Sequence, residues 1–425
     1  MRPKSDPVGL PPNRLRWPNV QENFVFQTKV AFVRRVIHRV KMMLILSCSA
    51  FVGLVPSFVT PIVAQDRTFL TTDRLTIGTE SNRSASVRMG DVDADGDLDL
   101  VVANGRHWTQ QNFVFINAGR AKFSVMQPLG SDRRTSYACK FADLDGDGDL
   151  DIATANDMAL GRILLNDGAG RFSYHTEFGE VSSVRSLTVA DIDGDTDIDQ
   201  LVTSRGKPNR IYLNDGAANF RPGPQFGSQQ DSTIAVAAAD VDDDGHLDLI
   251  LANRDRQPNE LLMGNADLTF SIRKRFGSGK DNSRAVVAAD FNADGKLDWV
   301  VGNIGQPNEV FLGDGRGGVS NSTSLGKADG RTYSLAVADM DNDGDLDVVA
   351  GNVGQQNTVY FNNGDALSFK TVSFGDAAAA TYGLCVGDLD GDRFADIAVA
   401  NSDGANRMFL NRPSRRQAPR GNARN

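Results

Sequence analysis

The chain has 425 residues, with 54 acidic against 45 basic side chains and a formal charge of −9. That balance excludes the clustered Lys and Arg surface a nucleic-acid groove requires, so no nucleic-acid partner is expected. Three cysteines, Cys48, Cys139 and Cys385, are too few for a disulfide scaffold, and the last two are expected to be buried free thiols.

Residues 1–65 stand apart from the rest. Arg34, Arg35, His38, Arg39 and Lys41 form a basic run, an apolar stretch follows from Met42 to Phe58, and Pro61-Ile62-Val63-Ala64 closes it. This is the layout of a secretory signal with cleavage after Ala64. The stretch is short for a membrane span and is interrupted by Pro56. No second apolar span follows, so the mature chain is expected to carry no transmembrane span and to be secreted, periplasmic or at the cell surface.

From here the chain repeats. Seven acidic loops begin at Asp91, Asp143, Asp191, Asp240, Asp290, Asp339 and Asp388, in steps of 52, 48, 49, 50, 49 and 49 residues. Each approximates D-x-D-x-D-G-x-x-D. At positions one, three, five, seven and nine the first loop has Asp91, Asp93, Asp95, Asp97 and Asp99. The second has Asp143, Asp145, Asp147, Asp149 and Asp151, and the third Asp191, Asp193, Asp195, Asp197 and Asp199. The fourth has Asp240, Asp242, Asp244, His246 and Asp248, and the fifth Asp290, Asn292, Asp294, Lys296 and Asp298. The sixth has Asp339, Asp341, Asp343, Asp345 and Asp347, and the seventh Asp388, Asp390, Asp392, Phe394 and Asp396.

Carboxylates this close repel unless a cation sits among them. Calcium takes six to eight oxygens from carboxylates, backbone carbonyls and water. Positions one, three, five and nine are expected to supply carboxylates and position seven a backbone carbonyl, giving up to seven structural calcium ions. Glycine at position six, as Gly96, permits the sharp reversal. Thr196 and Arg393 replace that glycine in loops three and seven, so those turns are expected to be strained or differently shaped. The start resembles an EF-hand loop, but Val102 stands at position twelve and residues 98–103 are strand-like, so the metal belongs in a β-hairpin.

Each repeat carries four strands. In the sixth they fall at Ser334–Ala338, Leu346–Ala350, Thr358–Phe361 and Phe369–Phe374, separated by turn residues. An apolar-Gly pair ends every fourth strand, from Ile77-Gly78 to Phe374-Gly375. The first pair precedes the first acidic loop, and the chain finishes on a third strand at Met408–Asn411. The expected fold is therefore all-β: a seven-bladed β-propeller over residues 66–412 with four-stranded blades. The N-terminal strand, about Thr68–Thr76, should complete the seventh blade and close the ring. Residues 413–425, rich in arginine and proline, read as a basic disordered tail.

These loops and Phe-Gly pairs resemble the FG-GAP, or VCBS-type, repeat family, best known from the seven-bladed head of integrin α subunits. The Gly-Ala-Pro element is absent in that form; repeats 4 and 5 have Ala-Ala-Asp there. The resemblance implies calcium loops on one face and ligand binding on the other.

That other face should carry the second-to-third and fourth-to-first connections. Asparagine recurs at both ends of the former, as in Asn303 and Asn308, either as turn structure or as amides offered to a ligand. The latter contribute Arg83, Arg134, Arg185, Arg284 and Arg331, suited to an oxyanion, and Trp108 is a candidate sugar platform. No catalytic motif is present, and the histidines are only His38, His107, His175 and His246. The expected function is an exported, monomeric calcium-binding module for an extracellular glycan or protein. An enzyme acting on acidic polysaccharide (lyase or hydrolase) and a pure protein-interaction scaffold are the alternatives.

Overall fold

The computed structural model describes residues 66–414. The leader with its cleavage site and the tail from residue 415 lie outside the described residues. Among the described residues no helix is long and apolar enough to cross a membrane.

Seven antiparallel sheets follow one another in chain order; six are built from four consecutive strands, and the seventh joins the last three strands to the N-terminal segment. Blade 1, for example, runs Ser84–Gly90, Asp99–Asn104, Phe113–Asn117 and Phe123–Pro128. The first strands contact one another all the way round, including the seventh blade's Thr381–Gly387 against blade 1, so they line the axis of a closed ring. The second strands, such as Asp347–Asn352, are buried at every residue, save Arg205 at the end of the one in blade 3, because a neighbouring blade covers each face. The fourth strands are the wet rim, and Val319–Leu325 is exposed at most positions.

The apolar core lies between blades. Cys139 is buried with Val101, Val114, Phe141 and Ile152 where blades 1 and 2 meet. Cys385 is buried with Val87, Leu100 and Phe115 where blades 7 and 1 meet. Both thiols are free, as expected.

Closure also follows the expected route, with one correction. Arg67–Leu70 pairs antiparallel with the last strand, Asn406–Pro413, in the register Phe69↔Asn411. Phe69 completes the blade 6–blade 7 core against Phe361 and Phe374. The N-terminal segment is not one strand from Thr68 to Thr76. A short 3-10 turn at Asp73–Leu75 breaks it, and Thr76–Ile77 then pairs separately with the last strand.

Candidate metal centres and the opposite face

The acidic loops join the first strand of each blade to the second, at one end of the ring. Their shape is set by backbone donors folding onto aspartate oxygens. The position-six N–H donates to the position-one Oδ2 in every loop, from Gly96 to Asp91 at 3.1 Å through Arg393 to Asp388 at 2.8 Å. The position-seven N–H donates to the position-five Oδ1, as His246 does to Asp244 at 2.8 Å. Two residues per loop take left-handed backbone. Position six was legible from its glycines, but position four was not: Ala94, Asp243, Ala293 and Asn342 have φ between 55° and 59°. Thr196 and Arg393 keep the common turn at φ 83° and 73°, so these two loops have the same shape as the others and carry the strain.

Position nine does more than offer a ligand. Asp347 is fully buried; its Oδ2 accepts the Met340 N–H at 2.7 Å and its Oδ1 the Asn362 N–H at 2.8 Å. The equivalent pair of bonds recurs at Asp99, Asp151, Asp199, Asp248, Asp298 and Asp396. Each ninth aspartate thus ties the acidic loop to the end of the third strand. Burial pushes the Asp347 carboxyl up to about 8 and that of Asp99 to about 7, against the two donors that favour the charged form.

Carboxylates of positions one, three and nine converge. Oxygens of Asp91, Asp93 and Asp99 lie within 4.8 Å of one another, as do those of Asp143, Asp145 and Asp151, of Asp191, Asp193 and Asp199, of Asp240, Asp242 and Asp248, and of Asp339, Asp341 and Asp347. Several of these oxygens are buried without a hydrogen-bond partner: Oδ1 of Asp91, Asp93, Asp242 and Asp341. Asp341 is only 7% exposed. An orphaned buried carboxylate oxygen is costly, and an all-oxygen donor set is what calcium takes. The donors therefore fit that ion. The position-five carboxylates Asp95, Asp147, Asp195, Asp244 and Asp343 stand outside these trios.

The side chains at position seven point elsewhere. Asp149, Asp197 and Asp345 crowd Gly168, Gly216 and Gly364 of the third-to-fourth turn, where a Cβ would come within 2.6–2.8 Å of the carboxylate. Asp97 lies similarly against Gly119 at 3.1 Å. Lys296 bonds Asp294 at 3.3 Å in the fifth loop, where Asn292 leaves only Asp290 and Asp298 as carboxylates at positions one, three and nine. In the seventh loop Arg412 pairs with Asp390 and, at 2.6 Å, with Asp392, so a guanidinium already neutralises two of its carboxylates. Phe394 lies under Arg67, 3.6 Å from ring centroid to guanidinium carbon.

On the face opposite the loops, the structure chooses between the two readings of the asparagines and departs from the expected arginine pattern. The paired asparagines are structure, not offered amides. Asn303, Asn308, Asn352 and Asn357 are buried, and the Asn308 Oδ1 accepts the Asn303 N–H at 2.9 Å. Asn406 donates to Ser84 Oγ at 2.9 Å, and Ser84 donates to Asn104 at 2.7 Å, so the same residues staple blade 7 to blade 1.

The five arginines do not form one ring. Arg83 pairs with Asp403 at 2.9 Å and lies over the Trp108 ring, which is 63% exposed. Arg134 turns to Asp132 and Glu177, both at 3.1 Å, and Arg331 is exposed. Only Arg185 and Arg284 reach the axis. The cause is a β-bulge in each first strand, which takes one residue out of register: Ala85, Tyr137, Arg185, Ile234, Arg284, Tyr333 and Tyr382. The other three arginines precede their bulges. Sequence patterning missed the tyrosines, although their shared offset from Asp143, Asp339 and Asp388 was available.

Comparison with known proteins identifies the repeats. The model of the FG-GAP-like repeat matches residues 91–154, 143–202, 191–251, 240–301, 290–350 and 339–399. The chain belongs to the FG-GAP repeat family. No curated protein matches it by sequence. Among solved structures it is similar to BBS1N, crystallised in complex with ARL6DN, at 13% identity and a TM-score of 0.54, over 80% of this chain and 96% of that one. It is also similar to Sqt1 of Saccharomyces cerevisiae, at 11% identity and a TM-score of 0.53, over 80% and 99%. At such identities the FG-GAP chain and these propellers share a fold.

Proposed function

We propose that this FG-GAP propeller is an exported, calcium-stabilised binding or adhesion module for an extracellular glycan or protein. One observation carries the calcium reading: the Asp341 Oδ1 is buried without a partner inside a trio of converging carboxylates. Positions one, three and nine would hold the ion, which would neutralise the trio and pin the hairpin between the first two strands. The binding reading is supported by exposed Trp108 and Arg331 on the face away from the loops. The propeller BBS1N, crystallised in complex with ARL6DN, gives a precedent for a protein partner on this fold. Export is proposed from the charge and hydropathy of the leader alone.

The test is calorimetric titration of calcium into chelator-treated protein, followed by thermal melts with and without excess chelator. Calcium uptake with a rise in Tm is expected. No uptake, together with identical melts, would sink the reading.

A further inference from the structure

The bulge residues on the face opposite the acidic loops form a cluster that calcium does not involve. Arg185 lies over Tyr137 at 4.8 Å, Arg284 over Tyr333 at 4.7 Å and Arg106 over Tyr382 at 3.7 Å, between guanidinium carbon and ring centroid. Tyr333 meets Tyr382 edge-on at 4.8 Å, which joins two of these pairs. His107 meets Tyr137 at 5.5 Å and continues the cluster toward exposed Trp108.

The charges do not balance. Arg185 has one acidic neighbour, Asp157 at 3.6 Å, which also faces His107 at 3.8 Å. Burial and the Arg106 charge lower the His107 pKa. Arg106 and Arg284 enter no ion pair among the described residues. The Arg106 Nε is buried without a hydrogen-bond partner, while the rest of its guanidinium reaches the Ser402 hydroxyl at 3.1 Å and the Tyr382 side chain. The Arg284 guanidinium has no hydrogen bond among the described residues; burial holds it below its usual pKa, and the Arg254 and Arg185 charges act in the same direction. Arg185 spends donors on the Val184 carbonyl at 3.1 Å and the Ser183 hydroxyl at 2.6 Å, whereas the Arg106 and Arg284 guanidinium groups, held on ring faces with donors left over, are positioned for the paired oxygens of an oxyanion.

We propose that the mouth of the ring axis, formed by Arg106, Arg185 and Arg284 with Tyr137, Tyr333 and Tyr382, binds the carboxylate or sulfate of an acidic saccharide. The proposal rests on the binding-module reading, and it names the ligand class. A saccharide is favoured over an acidic peptide because the guanidinium groups lie on tyrosine rings, and exposed Trp108 follows His107, which packs on Tyr137. These supply flat surfaces and hydroxyl groups for a sugar ring.

The experiment is calorimetric titration of the full propeller in calcium with trigalacturonic acid, a sulfated trisaccharide, maltotriose and a hexaglutamate peptide. The two acidic sugars separate carboxylate from sulfate as the source of the oxyanion. At least one should bind, maltotriose should not, and Arg284→Gln and Arg106→Gln should each weaken binding roughly tenfold or more. Arg284→Lys should retain part of the affinity, and Arg221→Gln on the outer strand of blade 3 should leave it unchanged. Melting curves for every variant separate lost binding from lost fold.

Wild-type affinity in the correctly folded Gln variants would overturn the proposal. So would equal binding of maltotriose, or tighter binding of the peptide. If no acidic sugar binds while calcium still stabilises the protein, the anion site fails and the calcium module survives. If chelator leaves the melt unchanged while the acidic sugar binds, the reverse holds.

Discussion

The Asn362 side chain donates its Nδ2 hydrogen to the Phe291 carbonyl of the preceding blade at 2.6 Å. Asn117, Asn166, Asn214 and Asn411 make the same bond to the position-two carbonyls of Leu389, Val92, Leu144 and Met340. Each also donates to the position-eight carbonyl of its own loop, as Asn362 does to Leu346 at 3.2 Å. These asparagines bolt neighbouring blades together at the acidic end. Replacing Asn362 by Ala leaves a buried carbonyl unsatisfied and should lower stability by about 1–3 kcal/mol, read from urea denaturation at fixed calcium. A loss within error would mean that the bolt adds nothing beyond blade packing. Gly264 and Gly313 stand at the equivalent positions in blades 4 and 5 and cannot be upgraded, because a Cβ there would lie 2.1 Å from the carbonyl of Leu247 or Leu297.

Asp347→Asn tests the ninth position. The carboxylate accepts two N–H groups, whereas an amide would turn its own N–H toward one of them. A loss of about 3 kcal/mol or more is expected even in chelator, since a buried donor is left facing a donor. Asp343→Asn in the same loop changes a half-buried carboxylate that accepts a single loop N–H, from Asp345 at 3.0 Å. It should leave chelator-treated stability nearly unchanged. Similar losses for the two variants in chelator would remove the distinction between brace and loop carboxylate.

Thr196 is a β-branched residue at φ 83° whose N–H, not its side chain, holds the loop to Asp191. Thr196→Gly relieves the left-handed strain and should stabilise the protein by about 1 kcal/mol after the entropic cost of glycine. A lower Tm for the variant would show that the turn does not impose this strain.

Lys140 lies in the first strand of blade 2, Ser136–Ala142, one of the strands that line the ring axis. Burial pushes its pKa down from 10.5 to about 7, and the Arg88 charge adds to the shift. The folded value lies below the unfolded one, so the charged form is penalised in the fold. That penalty is absent above pH 10.5, grows as the pH falls and is complete below about 7. Lys140→Met should therefore raise Tm more at about pH 6.5 than at about pH 9.5. Equal gains at both would mean that only packing had changed.

Arg412 competes for the seventh loop through Asp390 and Asp392. Arg412→Gln removes the competing charge and should tighten calcium at that loop roughly tenfold, resolved by calorimetry as a change in the weakest phase. An unaltered isotherm would show that the guanidinium and the ion do not share those oxygens.

The repeat spacing and the strands at the two chain ends already carried the blade count and the closure by an N-terminal strand. Periodic acids separated by short apolar runs are local patterns, and a ring is the arrangement that satisfies them. The asparagines were ambiguous because an amide suited to a turn and one suited to a ligand look alike until their partners are known. Asp347 read as one ligand among several, since nothing local marks a carboxylate that will accept the N–H of Asn362 from another strand.

The sequence by itself determined the elements, their order, the candidate ion sites and the family resemblance, because those depend on residues close together along the chain. Only the tertiary structure decided that Arg185 and Arg284 reach the axis while Arg83 and Arg134 are held by acids at the periphery. The reason is geometric: a one-residue bulge redirects a side chain, and the balance of charge around it is made by residues from other blades.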